Sequence, residues 1–249
     1  MKKIIIANWK MNPASSAEAQ KMLAGLKAGI KNSKTQVVVC PPFVYLDLAK
    51  KNLGNQAIKI GAQNCFWESI GAFTGEVSPK MLKNLGVSYV ILGHSERRIV
   101  MEETTEQANK KIKAVAEAGL VPVVCFGESL EEKQQGQSLV AIEKELQGML
   151  DKISKDSIAK IIFAYEPDWA IGTGNNCSPD DALTMALLVK KIMGEKYGKK
   201  TKEAIKILYG GSVDKSNAKL YLENQAIDGL LVGGASLNIK EFLSILGLV

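Results

Sequence analysis

The sequence predicts a closed (β/α)8 barrel, and three observations favour this fold class. Eight short apolar runs recur along the chain, mostly β-branched and without alternating polarity, as expected of parallel strands buried on both faces. Longer amphipathic stretches separate these runs, so strand and helix alternate throughout. The chain has 249 residues, close to the roughly 250 of such a barrel. We therefore expect a single domain over residues 1–249. An open doubly wound sheet is the alternative, although no GxGxxG follows a predicted strand.

The elements follow one another in a regular order. Strands are predicted at residues 3–9, 36–40, 58–63, 89–92, 121–126, 160–165, 205–209 and 228–232. Two kinds of helix start signal lie between them. Ser15 with Glu18 and Thr104 with Gln107 have the spacing of capping boxes, and proline follows a capping serine at 78–79 and 178–179. These signals indicate that the intervening stretches are helical.

The composition is that of an ordinary globular protein. Hydrophobic residues make up 46% of the chain and charged residues 23%, which excludes disorder, collagen and coiled coil as the main architecture. No run approaches the roughly 18 apolar residues that a membrane helix needs. The four cysteines contain no CxxC pair and there is one histidine. We therefore expect neither a metal cluster nor a disulfide framework, and a cytoplasmic location.

The formal charge of +6 leaves three kinds of partner open. An excess of cations suits a nucleic acid, a membrane surface or a small anionic substrate. Apart from Arg97 and Arg98 the cations are lysines, and they are scattered without a dense stripe or interleaved aromatic residues. This scatter is typical of solvated helix faces. We expect a small anionic substrate and neither nucleic acid nor membrane.

Barrels of this kind carry their reactive groups where the strands end. Polar or glycine-rich residues follow the predicted strands at Asn8, Lys10, Gln63, Asn64, His94, Glu166, 210–212 and 233–234. Three side chains among them can do chemistry. Glu166 is a general base or a solvent-facing carboxylate, and His94, at a helix start, is a neutral hydrogen-bond donor or a structural residue. Lys10 is a fixed cation, a Schiff-base nucleophile or a surface lysine.

Three loops carry further signals. Glycine-rich turns at 209–212 and 232–235 follow the last two strands, where barrels often bind phosphate, although ordinary turns are the alternative. Residues 167–174 are apolar at the centre and glycine-flanked, which indicates a lid or a loop fixed on the rim. Residues 65–76 are too apolar for a free surface loop, so they contact a second subunit or pack on their own chain.

Several segments occur together in a recognisable order, at 7–12, 61–64, 71–78, 93–98, 164–167, 169–174, 209–213 and 231–236. With them, from Ile4 to near its C-terminus, the chain resembles the triosephosphate isomerase family, whose fold is the TIM barrel. The resemblance implies a catalytic domain that interconverts dihydroxyacetone phosphate and D-glyceraldehyde 3-phosphate through an enediolate, in glycolysis and gluconeogenesis. It implies no cofactor and no metal.

The resemblance also implies roles for individual residues. Glu166 is the base, His94 is the neutral electrophile and Lys10 is the cation near the substrate oxygens. Asn8 supports Lys10, and Glu96 supports these residues without touching the substrate. Backbone N–H groups hold the phosphate at Gly172, Ser212, Gly233 and Gly234. The lid consists of Pro167, Asp168, Trp169, Ala170, Ile171, Gly172, Thr173 and Gly174. The family is usually a homodimer through the loop around Phe66 and Glu76 (66–76), with Thr74 beside the partner's site.

One residue departs from the family pattern. Asp168 stands in the first part of the lid, where an apolar residue is usual, and we expect it to alter lid opening or to make Glu166 more basic. Two other functions stay open beside the isomerase. They are an aldolase-type barrel that forms a Schiff base at Lys10 and a non-catalytic barrel that binds polyanions.

Overall fold

In a computed structural model of the chain, residues 2–30, 35–54, 57–170 and 176–249 are described. They form a closed barrel of parallel strands in which each strand pairs with the next and β8 pairs with β1. The strands are β1 (Ile4–Asn8), β2 (Gln36–Cys40), β3 (Lys59–Ala62), β4 (Tyr89–Leu92), β5 (Val121–Phe126), β6 (Ile162–Tyr165), β7 (Lys206–Tyr209) and β8 (Gly229–Val232). The predicted fold class is confirmed.

Helices cover the outside of the barrel. They are α1 (Ser16–Gly29), α2 (Leu46–Leu53), α3 (Pro79–Leu85), α4 (Ser95–Ile99), α5 (Thr105–Glu117), α6 (Leu130–Gln134), α7 (Ser138–Met149), α8 (Lys155–Ile158), α9 (Pro179–Tyr197), α10 (Lys199–Ala204), α11 (Ala218–Leu222) and α12 (Ile239–Leu246). Short 3-10 helices lie at Phe43–Tyr45, Asp168–Ala170 and Gly234–Leu237. Among the described residues, no helix is both long and apolar enough to span a membrane.

The predicted helix starts hold well. Thr104 and Gln107 form a full capping box at α5, and Ser78 and Ser178 cap helices that begin with proline. At α1, Ser15 accepts a hydrogen bond from the Glu18 amide, which is one of the two bonds of the predicted capping box; the return bond from the Ser15 amide to the Glu18 side chain is not among the contacts of the described residues. These bonds satisfy amide groups that have no partner inside the helix, which explains why these four helices begin where they do.

Apolar side chains fill two layers of the molecule. The interior of the barrel is closed by small and branched residues such as Ile6, Val38, Ile91, Val123 and Leu208. A larger layer lies between the strands and the helices. Because the interior is packed, polar side chains collect beyond the carboxyl ends of the strands, where the loops leave room for a substrate.

Candidate active site

The predicted side chains meet at the carboxyl mouth of the barrel. Asn8 ends β1, His94 follows β4 by two residues and Glu166 directly follows β6. A cavity of about 440 Å³ is lined by these residues together with Lys10 and the turns after β7 and β8. Residues separated by more than 150 positions in sequence therefore share one pocket because every strand ends on the same side.

Glu166 is almost fully buried, with 1% of its surface exposed. One carboxylate oxygen, Oε2, accepts a hydrogen bond from the Ser95 amide at 3.1 Å, and Oε1 lies 3.2 Å from His94 Nε2. Its backbone amide continues the ladder by donating to the Phe126 carbonyl. The neighbouring turn leaves little room, because a Cβ on Gly210 would lie 2.9 Å from Glu166 Cγ. The base candidate is thus held between α4 and β7.

His94 is fixed in one neutral form by its hydrogen bonding. It is the residue that caps α4, and its Nδ1 accepts a hydrogen bond from the Glu96 amide at 3.2 Å. A nitrogen that accepts carries no proton, so the proton of the neutral ring lies on Nε2, which faces Glu166 and the pocket. His94 is therefore arranged as a neutral donor.

Lys10 lines the same cavity as His94 and has a strained backbone conformation, with φ of 52°. Its amide donates to Asn8 Oδ1 at 3.0 Å, and its carbonyl accepts from Gln63 Nε2 at 2.9 Å. Non-glycine residues in this region usually need such support from their surroundings. The ammonium group contacts Glu96 Oε1 at 2.6 Å. This ion pair is the contact expected of a fixed cation, one of the three roles that the sequence left open for Lys10.

The two glycine-rich turns line the same cavity as the base. Ser212, Gly233 and Gly234 belong to its wall, and a 3-10 helix begins at Gly234. A Cβ at Gly233 would approach Lys10 Cε to 3.1 Å, so this turn and the cation are packed together. The predicted phosphate residue Gly172 lies outside the described residues.

Of the predicted lid, the structure describes residues 167–170, while Ile171, Gly172, Thr173 and Gly174 lie outside the described residues. The indole N–H of Trp169 donates to Glu128 Oε1 at 3.0 Å, and the hydroxyl of Tyr165 donates to the same carboxylate. Asp168 accepts from Arg98 Nη2 at 3.0 Å. Burial, together with neighbouring carboxylates, raises the pKa of Asp168 to about 7 despite the Arg98 charge.

The loop at 66–76 combines contacts within itself and exposed apolar surface. Phe66 stacks on Trp67 with ring centroids 4.0 Å apart, and Phe73 packs beside Phe66 at 4.6 Å. Ile70 is nevertheless 77% exposed and Phe73 43% exposed. Packing on its own chain therefore accounts for only part of the apolar character that the sequence shows.

Several supporting residues were not singled out from the sequence. Ser95 holds the base through its amide, Gln63 fixes the carbonyl of Lys10, and Glu128 joins Tyr165 to Trp169. Ser95 lies inside the 93–98 segment, and Gln63 was noted only as a polar residue at a strand end. Their positions next to strand ends were the one sequence feature that could have indicated a role in the site. Glu128 had no signal of this kind. Within the described residues, no cluster of histidine, cysteine and carboxylate side chains is suited to hold a metal.

A buried carboxylate, a neutral imidazole and an ammonium at the mouth of a (β/α)8 barrel define an enzyme able to move a proton beside a carbonyl group. The comparisons with known proteins identify which one. Residues 3–249 match the family model described as triosephosphate isomerase. The chain is 46% identical over 245 residues to triosephosphate isomerase of Alkaliphilus oremlandii and 45% identical over 244 residues to that of Dictyoglomus thermophilum, covering 98% of each chain. It is 43% identical over 242 residues to that of Clostridium botulinum, covering 97% of each chain. The chain belongs to the triosephosphate isomerase family.

Proposed function

We propose that Glu166, His94 and Lys10 together carry out the reaction of this chain, the interconversion of dihydroxyacetone phosphate and D-glyceraldehyde 3-phosphate. The observation that carries the proposal is the common pocket in which Glu166 Oε1 lies 3.2 Å from His94 Nε2. A base and a neutral donor at this distance can act on two adjacent atoms of one small substrate.

The chemistry follows from these positions. Glu166 takes a proton from the carbon next to the carbonyl, and the electron pair of the broken C–H bond forms the enediolate. The N–H of His94 and the ammonium of Lys10 stabilise the negative charge that develops on oxygen. The oxygen-bound proton passes between the two oxygens through His94 Nε2. Glu166 then returns its proton to the neighbouring carbon, which completes the isomerisation without an external acid or oxidant.

The phosphate group supplies most of the binding interactions of the substrate, because it is the most charged part of the molecule. We assign it to backbone N–H groups of Ser212, Gly233 and Gly234, and, from the resemblance alone, to Gly172. Glycine permits close approach of an anion to the backbone, and the start of a helical turn at Gly234 adds a favourable dipole. The same proposal makes residues 167–174 a lid that excludes water while the enediolate exists.

The resting position of Glu166 implies movement during the cycle. Its Oε2 is bound to the Ser95 amide, so the carboxylate must leave Ser95 to reach a substrate carbon. We also propose that residues 1–249 act as one catalytic domain in the cytoplasm. In this proposal two copies form a homodimer through the loop at 66–76, whose exposed Ile70 and Phe73 provide an apolar contact surface.

The substitution Glu166→Gln tests the assignment of the base. The amide keeps the shape of the side chain but cannot accept the proton, so we expect kcat to fall by about 1,000-fold or more in a coupled assay with glyceraldehyde 3-phosphate. Binding of 2-phosphoglycolate, whose carboxylate mimics the enediolate, should remain measurable. A variant with full kcat would remove Glu166 from the role of base.

A further inference from the structure

A cluster of charged side chains connects α4, α7 and the segment that follows the base, and it takes no part in the proton transfer. Arg98, on α4, donates from Nη2 to Asp168 Oδ1 at 3.0 Å and from Nη1 to Glu145 on α7. Glu145 also accepts from the Gly127 amide at 3.1 Å. The three side chains are only 15–17% exposed, so one cation is shared by two largely buried carboxylates.

The cluster connects the segment after the base to the helix that holds the base. Glu166 is bound to α4 through the Ser95 amide, and two residues later Asp168 is bound to the same helix through Arg98. The amide of Asp168 donates to the Glu128 carbonyl at 3.1 Å. A rotation that carries Glu166 away from Ser95 must therefore act against a second attachment at Asp168.

We propose that Asp168 is a positioning residue for Glu166, and that its ion pair with Arg98 holds the base in its resting place more strongly when Asp168 is charged. The inference rests on the proposed function, because it concerns the movement that the base must make in that reaction. It goes beyond the family resemblance, since Asp168 is the residue at which this chain departs from the usual apolar hinge.

The surroundings of Asp168 make its charge sensitive to pH. The charged groups that face it from neighbouring elements, or line the same cavity of about 630 Å³, are Arg98, Glu128, Glu132, Lys144, Glu145 and Glu166. Burial and the carboxylates disfavour a further negative charge, while Arg98 favours it. The result is a pKa of about 7 for Asp168, so its charge changes near neutral pH.

The direction of the pH effect depends on what Asp168 loses when Glu166 moves away from Ser95. We take the movement to break the 3.0 Å bond between Arg98 and Asp168 and to keep the Asp168 side chain within its cavity, beside Glu145. The attraction of Arg98 is then lost, while burial and the neighbouring carboxylates still disfavour a charge on Asp168. The Asp168 carboxyl group therefore ionises more easily in the resting arrangement than after the movement. Raising the pH through about 7 therefore strengthens the resting arrangement.

The experiment compares wild type with Asp168→Asn, which keeps the shape and removes the charge. The dissociation constant of 2-phosphoglycolate is measured from about pH 5.5 to about pH 8.5. At the high end we expect Asp168→Asn to bind about fivefold more tightly than wild type, since a charge-assisted bond is roughly twice as strong as a neutral one. At the low end the two affinities should agree, because wild-type Asp168 is then protonated. The ligand phosphate also titrates in this range, but it affects both proteins equally, so it cancels in the ratio of their dissociation constants.

A matched control is Asp47→Asn, which removes an exposed aspartate paired with Lys51 on α2 at 2.5 Å. Its affinity ratio to wild type should stay near one at every pH. A ratio for Asp168→Asn that is the same at both ends of the range, or weaker binding at high pH, would overturn the inference. If wild type itself neither isomerises triose phosphates nor binds 2-phosphoglycolate, the proposed function fails instead. Thermal melting of each variant confirms that it is folded.

Discussion

Adding one methyl group at Gly210 should slow the reaction by displacing the base. Gly210 follows β7, and a Cβ there would lie 2.9 Å from Glu166 Cγ and 3.4 Å from Glu166 Oε1. Carbon atoms that are not bonded to each other are comfortable at about 3.5–4.0 Å, so Glu166 must retreat by roughly 1 Å in Gly210→Ala. A misplacement of about 1 Å can cost about 100-fold in rate, or about 2.7 kcal/mol in the barrier.

The assay is the steady-state rate with glyceraldehyde 3-phosphate, together with thermal melting. We expect kcat to fall by about 10–100-fold. Stability should change by at most about 1–3 kcal/mol, because the added methyl group meets a side chain that can shift. The backbone of Gly210 lies outside the left-handed region, so alanine adds no strain of that kind. Gly247→Ala is the matched control, since its nearest atoms are 3.4 Å or more away near the C-terminus. Wild-type kcat in Gly210→Ala would refute the argument that the turn after β7 holds the base in place.

Two further predictions concern stability and assembly. Glu103 accepts hydrogen bonds from Lys111 and Arg97 at 2.5 Å each. Burial by itself would raise the pKa of Glu103, but these two cations outweigh burial and lower it. The charged Glu103 therefore stabilises the fold at neutral pH, and this contribution is lost as the pH falls through the lowered pKa. Glu103→Gln should therefore reduce the free energy of unfolding by about 3–5 kcal/mol at neutral pH, measured by urea unfolding, whereas the exposed Glu106→Gln should stay within about 0.5 kcal/mol. The substitution Ile70→Glu should convert a dimer into monomers in light scattering, because it buries a charge in the proposed contact; an unchanged mass of two chains would place the contact elsewhere.

The strands and the mouth residues were predictable because they depend on local sequence. A strand buried on both faces must be apolar throughout, so its end is visible as the first polar residue, and Glu166 and His94 stand at such ends. The start of β6 was predicted two residues too early, at residue 160, whereas the strand begins at Ile162. The amides of Lys160 and Ile161 bond back to Ser157 and Ile158 in a turn after α8, so they cannot join the ladder.

The partners of the site residues were not predictable in the same way. Asp168 was noticed as unusual, yet nothing in the sequence connects it with Arg98, 70 positions earlier, or with Glu145 on another helix. Lys10 was considered as a free amine, and its contact with Glu96 became visible only in three dimensions. Ion pairs between side chains depend on how the helices pack around the barrel, and local patterns of polarity do not encode that packing.

The short helix α4 explains why these groups behave as one site. Its cap is His94, its first amide holds Glu166, and Glu96 in its first turn binds Lys10. Near its C-terminal end it carries Arg98, which binds Asp168. A single turn of helix thus fixes the electrophile, the resting base and the cation, although these residues follow β4, β6 and β1, respectively. Because His94 and Lys10 are both bound to this helix, their relative positions can stay the same when the base leaves Ser95. The segment after Glu166 can then move without disturbing His94 and Lys10, as proton transfer to a bound substrate requires.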